Sequence, residues 1–229
     1  MASAALIIAE SGSGKSTSIE NLDPATTFII NVSSKDLPFK GWKQKYTVWN
    51  KDTNPLGNMF KGANPKIIEM CMKYINEKRP EIKTIVIDDW QYMSSFEFFD
   101  RASEKGYDKF TDIGTNLAKI GRLPQTMRDD LTVFYLTHVE EGTDVEGRRK
   151  YKAKTIGKLV DEKLTLEGLF TVVLFGKVKK NADNSMRYVF ETQNNGDNTC
   201  KSPKGMFADS EIPNDLETVR RAIAAYDNF

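Results

Sequence analysis

Continuous apolar runs of strand length recur along the chain, at residues 4–9, 27–32, 84–88, 132–138 and 171–175. They do not alternate with polar positions, which is the pattern of strands covered on both faces in a parallel sheet. Between them the apolar positions take a helical period. Ile67, Ile68, Cys71, Met72 and Ile75 form one stripe, Trp90, Met93 and Phe96 a second, and Ile113, Leu117 and Ile120 a third, after which Pro124 kinks or divides the chain. Strands alternating with helices predict an α/β fold with a mainly parallel sheet and right-handed crossovers. In the last third, "MRYVFETQ" at 186–193 reads as a further strand. With 171–175 it brackets a turn-rich "NADN", so an antiparallel hairpin is expected on the sheet edge. Asn214 and Glu217 stand at capping-box spacing before a closing helix with Leu216, Val219, Ile223 and Tyr226 on one face. Two polar stretches, 35–62 and 140–154, read as long loops, and the whole of 1–229 reads as one domain.

The first strand runs directly into "AESGSGKST", residues 9–17. This is the loose form of the phosphate-binding loop, with Ala9 where the strict pattern has glycine. Gly12 and Gly14 let the backbone wrap tightly and turn N–H groups toward an anion. A helix starting at Lys15 is expected to add its positive end. Glu10, Ser11, Gly12, Ser13, Gly14, Lys15, Ser16 and Thr17 are therefore the candidate nucleotide-binding residues. Lys15 reaches the β- and γ-phosphates, Thr17 lies near the α-phosphate, and Ser16 offers a hydroxyl to Mg²⁺, which prefers oxygen ligands. The second metal-side group is Asp88, at the end of the apolar run in "KTIVIDDWQ". Asp89 is either the group that orients or deprotonates the attacking water or the N-cap of the helix that follows. Glu10 and Asp36 are rivals for that acidic role. "LTVFYLTH" ends on Thr137 and His138, the position of a polar γ-phosphate sensor if this strand lies between the other two. His138 is the sole histidine.

Composition narrows the class. The 229 residues carry 33 basic and 32 acidic side chains, a net charge of +1, which argues against a purely electrostatic coat for nucleic acid. Cys71 and Cys200 are too few and too far apart for a disulfide framework or a metal cluster. No apolar run reaches the ~18 residues of a membrane span, and the N-terminus lacks a signal-peptide pattern, so a cytoplasmic protein is expected.

Asp88 follows the loop by about 70 residues, with a strand and a helix between them, a spacing that suits ATPases with an additional sheet strand better than small nucleotide kinases. A kinase would place Arg148 and Arg149 in a lid, and a nucleotide-switched adaptor is the other alternative. The loop is similar to the RecA type, in which a glutamate also stands third before the glycine-serine core. With "TIVIDDW", "FYLTH", "TVVLFGKV" and "FETQNNGDNTCKSPKGMF", the chain resembles the small phage ATPases of the Sak single-strand-annealing group, across most of its length. The resemblance implies a RecA-like P-loop core, ATP and Mg²⁺ as cofactors, and an ATP-controlled homo-oligomer acting on single-stranded DNA in phage recombination or replication. It assigns nucleotide binding to Lys15, Ser16 and Thr17, the metal to Asp88, the activating acid to Asp89 or Glu10, and the sensor to His138. The departures are Ala9 and "NVSSKD" at 31–36, where relatives are more acidic, so the identity of the catalytic acid stays open.

Lysines interleaved with aromatics suit single strands, because cations neutralise phosphate while rings stack on bases. Lys40, Lys43 and Lys45 with Phe39, Trp42 and Tyr46 form one such stretch. Arg148, Arg149, Lys150, Lys152 and Lys154 around Tyr151 form the preferred one, since they follow the sensor strand. Lys177, Lys179, Lys180, Lys201 and Lys204 are candidates for completing a neighbouring protomer's site.

Overall fold

The apolar runs become strands in the computed structural model, which describes residues 1–106, 108–143, 146–155 and 164–227. In chain order the strands are β1 (Ser3–Ala9), β2 (Thr27–Asn31), β3 (Met59–Lys61), β4 (Thr84–Asp88), β5 (Thr132–Thr143), β6 (Arg149–Ala153), β7 (Val172–Lys180), β8 (Met186–Glu191) and β9 (Glu211–Pro213). The helices are α1 (Trp42–Lys45), α2 (Pro65–Lys78), α3 (Gln91–Asp100), α4 (Asp108–Arg122) and α5 (Leu216–Tyr226). The sheet order is β3-β2-β4-β5-β1-β7-β8-β9. Pairing is parallel from β3 to β7 and antiparallel through β8 and β9, while β6 folds back on β5. The expected α/β sheet with an antiparallel C-terminal edge is therefore present, and β5 does lie between β4 and β1.

The unbroken apolar runs follow from cover on both faces. Successive strand side chains point oppositely. Leu6, Ile8, Ile85, Ile87, Val133 and Tyr135 enter one core, with Ile68, Cys71, Met72 and Ile75 of α2, Trp90 at the N-cap of α3 and Met93 within it, and Leu117 and Ile120 of α4. Ala5, Ile7, Val86, Phe134 and Leu136 enter the other, against Ile19, Leu22, Phe39, Tyr46 and the Leu216–Val219–Ile223 face of α5. Each fully buried aliphatic or aromatic side chain contributes roughly 1.5–3 kcal/mol. Ile67, Phe96 and Tyr226, counted into the stripes from their spacing, remain partly exposed.

Four local expectations are corrected. The helix expected from Lys15 is only a 3₁₀ turn over Thr17–Ile19, because the Ser/Thr/Asn/Asp-rich sequence favours turns and Pro24 disfavours helix just before it. Asp215, not Asn214, caps α5, accepting the Glu217 N–H at 3.1 Å. The 35–62 stretch holds α1 and β3, and its Phe39 and Tyr46 are core residues rather than a base-stacking surface. The 140–154 stretch is largely the β5–β6 hairpin, with Val139–Thr143 paired to Arg149–Ala153. Among the described residues no helix is long and apolar enough to cross a membrane.

Candidate nucleotide site

Four strand ends converge on one cleft at the carboxyl edge of the parallel sheet, where open α/β sheets place their ligands. The loop after β1, the turn after β2, Asp88 and Asp89 at the end of β4, and His138 on β5 all line it. Its volume is about 600 Å³, inside the roughly 300–1,000 Å³ of small-molecule sites.

The loop has the geometry of an anion cradle. Gly12 and Gly14 take φ of 79° and 83°, in the left-handed region that suits residues without a Cβ. Among the described residues, the N–H groups of Gly14, Lys15 and Ser16 have no protein acceptor. Unpaired amides beside a lysine form a concavity for negative charge. Ser13 is an exception to the sequence reading. Its side chain turns from the cleft and donates to the Glu10 carbonyl at 2.7 Å, so it braces the loop. The short 3₁₀ turn contributes no extended helix dipole, so amides and Lys15 carry the electrostatics. Ala9 is accommodated by Gly176, its partner on β7: a Cβ there would stand 2.8 Å from the Ala9 Cβ.

Two contacts tie the loop to the end of β4. Ser16 Oγ donates to Asp88 Oδ1 at 2.9 Å, and Lys15 Nζ donates to Asp89 Oδ1 at 2.7 Å, both lysine and aspartate being buried. Ser16 and Asp88 supply a hydroxyl and a carboxylate oxygen side by side, a donor set that fits Mg²⁺ held by one or two protein ligands plus phosphates. Among the described residues no group of three or more His, Cys, Asp or Glu forms a cation cage. His138 Nε2 lies 3.4 Å from Asp89 Oδ1, and Lys35 Nζ lies 3.6 Å from Asp89 Oδ2. Asp89 therefore faces Lys15, His138 and Lys35, and it does not cap α3, whose N-cap position is Trp90 with no side-chain cap bond.

The adjacent carboxylates are driven apart. Burial, reinforced by the charge of Asp89, pushes the Asp88 carboxyl up to about 6. Burial acts on Asp89 in the same direction, but the His138 hydrogen bond and the charge and hydrogen bond of Lys15 outweigh it, holding Asp89 well below the usual carboxylate range. Asp89 thus orients better than it abstracts. Glu10 is exposed at the cleft rim, and Asp36 is drawn toward Lys43 at 3.4 Å and Lys61 at 3.9 Å. Ser11 and Thr17 line the cleft from its exposed side.

Sequence reading missed several groups. Gln91 is buried, and its Oε1 accepts from Thr137 Oγ1 and from the His138 N–H, both at 3.2 Å. Thr137 therefore faces α3, and His138 presents its side chain to the cleft; β5 does not end there as expected but runs on to Thr143, leaving its parallel pairing with β1 after His138 and pairing with β6 from Val139. Tyr92 packs edge-on to the His138 ring at 5.7 Å. Tyr188 of β8 would crowd a Cβ on Gly14 at 3.0 Å, and Asn214 Nδ2 donates to the Ser13 carbonyl at 3.0 Å. Gln91 alone had a sequence signal, as the polar residue closing "DDWQ".

The basic candidates are less free than their sequence suggests. Arg148 pairs with Glu146 at 2.7 Å, Arg149 with Glu141 at 2.9 Å and Lys152 with Glu140 at 3.0 Å. Lys150 and Lys154 share that hairpin, Lys154 exposed at its base. Lys177 and Lys179 lie on β7, within 3.1 and 3.7 Å of buried Glu191.

No protein-family model matches the sequence, and no curated protein matches it. Among solved structures, the chain is similar to the crystal structure of a KaiC-like protein from the hyperthermophilic archaeon Pyrococcus horikoshii OT3, at 10% identity and a TM-score of 0.43, over 82% of this chain and 76% of that one.

Proposed function

We propose that this protein binds ATP with Mg²⁺ on a RecA-like core and hydrolyses it, and that the cycle controls an oligomer acting on single-stranded DNA in phage recombination or replication. The observation that carries the nucleotide half is the double tie across β5, Ser16 to Asp88 and Lys15 to Asp89. The unpaired loop amides and Lys15 would hold the phosphates. Ser16 and Asp88 would hold Mg²⁺, which when bound supplies charge neutralisation between phosphate oxygens. Asp89, aligned by His138, would accept a hydrogen bond from the attacking water and orient it.

The DNA half is supported by placement: the hairpin bearing Arg148, Arg149, Lys150, Lys152 and Lys154 continues the strand that carries His138. The exposed apolar pair Val178 and Tyr188, directly opposite each other beside the cleft wall, supports an oligomer. ATP turnover of the parent and of Lys15→Ala, with and without single-stranded DNA, tests the proposal. Expected are turnover stimulated by DNA, DNA affinity falling steeply with salt, and loss of turnover in the variant. Equal turnover in both proteins would remove Lys15 from the site, whereas indifference to DNA would sink only the DNA half. A second reading, a nucleotide-switched adaptor with slow turnover, is favoured by the low proton affinity of Asp89; tight ATP binding without phosphate release would select it.

A further inference from the structure

The turn after β2 carries a cation that no motif announces. Asn31, buried at the strand end, donates its side-chain amide to the Lys35 carbonyl at 2.6 Å, and the Ser34 N–H bonds the Asn31 carbonyl at 3.2 Å with Ser34 at φ 58°. The backbone of Lys35 is thereby anchored to the sheet. Its side chain is 67% exposed, reaches into the cleft beside Asp89 and passes 5.3 Å from the centre of the Tyr92 ring. Asp89 consequently holds a lysine at each oxygen, Lys15 at Oδ1 and Lys35 at Oδ2, drawn from two different loops.

A carboxylate gripped this way, opposite unpaired loop amides, has the charge pattern of a terminal phosphoryl group. We propose that Asp89 is a placeholder anion, and that the terminal phosphate of a nucleoside triphosphate takes over Lys15 and Lys35 from it, making Lys35 a second lysine for that phosphate supplied in cis. This deepens the triphosphate reading above and rests on it. An exposed ion pair is weakly held, so Lys35 is available for transfer, and a terminal phosphoryl group offers more charge and three acceptor oxygens where Asp89 offers each lysine one. The turn after β2 thus gives the site a group that recognises the third phosphate.

Binding of Mg²⁺ with ATP, a non-hydrolysable ATP analogue or ADP, measured calorimetrically on the parent, Lys35→Met, Lys35→Arg and Asp89→Asn, tests this. Lys35→Met should weaken both triphosphates about tenfold, the worth of one charge-assisted contact, while ADP affinity stays within about twofold and Lys35→Arg restores the difference. Asp89→Asn should bind triphosphate several-fold more tightly, because it removes the competitor for both lysines. Asparagine also tolerates the backbone of Asp89, whose φ is 60°. Equal loss of ATP and ADP in Lys35→Met, or no loss, would overturn the assignment while leaving a nucleotide site intact. Weaker binding by Asp89→Asn would overturn the placeholder role. A parent that binds none of the three would overturn the triphosphate reading and this inference with it.

Discussion

Replacing Asp88 by asparagine should make the nucleotide-free protein more stable at neutral pH. The carboxyl is raised from 3.8 to about 6 by burial and by the charge of Asp89. One pKa unit corresponds to about 1.4 kcal/mol, so ionised Asp88 costs the folded state about 3 kcal/mol. The sign follows from proton counts. Between pH of about 4 and about 6 the native state binds more protons than the unfolded chain, so this group's contribution falls as pH rises and the full cost applies above that window. Asparagine keeps an oxygen for the Ser16 hydroxyl, now 2.9 Å away, but brings buried N–H donors. Leaving them poorly paired costs about 1 kcal/mol. The net gain is about 2 kcal/mol, or roughly 4–8 °C in unfolding midpoint for a chain of this size. Thermal unfolding followed by circular dichroism, with a chelator and no nucleotide, should show the widest gap above pH 6, narrowing toward pH 4. A gap independent of pH, or a less stable variant throughout, would refute the claim that burial penalises the Asp88 charge by more than its partners offset.

Two further substitutions probe the supports of the site. Gly176→Ala puts a Cβ 2.8 Å from that of Ala9; urea unfolding should show a loss of about 1–3 kcal/mol from overpacking, and unchanged stability would contradict the close approach of β1 and β7. Gln91→Leu removes the acceptor shared by Thr137 and the His138 N–H; stranding buried donors costs about 1–3 kcal/mol, so both midpoint and turnover should drop, and a variant that kept both would show that the bridge does not position His138.

The parts of the site written in contiguous sequence were legible. Gly12, Gly14 and Lys15 lie within one turn that lines the cleft, and Asp88 is marked by the apolar run it ends. The sheet was legible because strands covered on both faces have no polar alternation to confuse them. What escaped depends on register and distance. Asn214 reaches Ser13 from 201 residues away, and Tyr188 arrives only through the β7–β8 hairpin. Charge clusters mislead for a related reason: the sequence shows Arg149 and Lys152 but not that the antiparallel partner strand supplies Glu141 and Glu140 against them. The phosphate-loop motif predicts a helix after Lys15, but the local propensity of "STSIENLDP" favours turns, and a 3₁₀ turn forms instead.

The aspartate doublet shows why two like neighbours end with different chemistry. In a continued strand Asp88 and Asp89 would point to opposite faces, and one would be driven into a core. The chain avoids this at Asp89, where φ reaches 60°. Hydrogen bonding stays intact on either side of it, the Val32 N–H to the Asp88 carbonyl at 3.2 Å and the Trp90 N–H to the Leu136 carbonyl at 2.9 Å. A positive φ at a residue with a Cβ costs about 1–3 kcal/mol, and the buried contact with Lys15 offsets it. The twist brings both carboxylates to one cleft but in unequal company: Asp88 meets a hydroxyl, Asp89 meets two lysines and the His138 ring. Desolvation acts on both, and only at Asp89 do the hydrogen bonds and the Lys15 charge together outweigh it. Any ligand that draws Lys15 and Lys35 away must leave Asp89 less compensated and closer in proton affinity to Asp88, so occupancy of the cleft itself would shift Asp89 from a clamp toward a base.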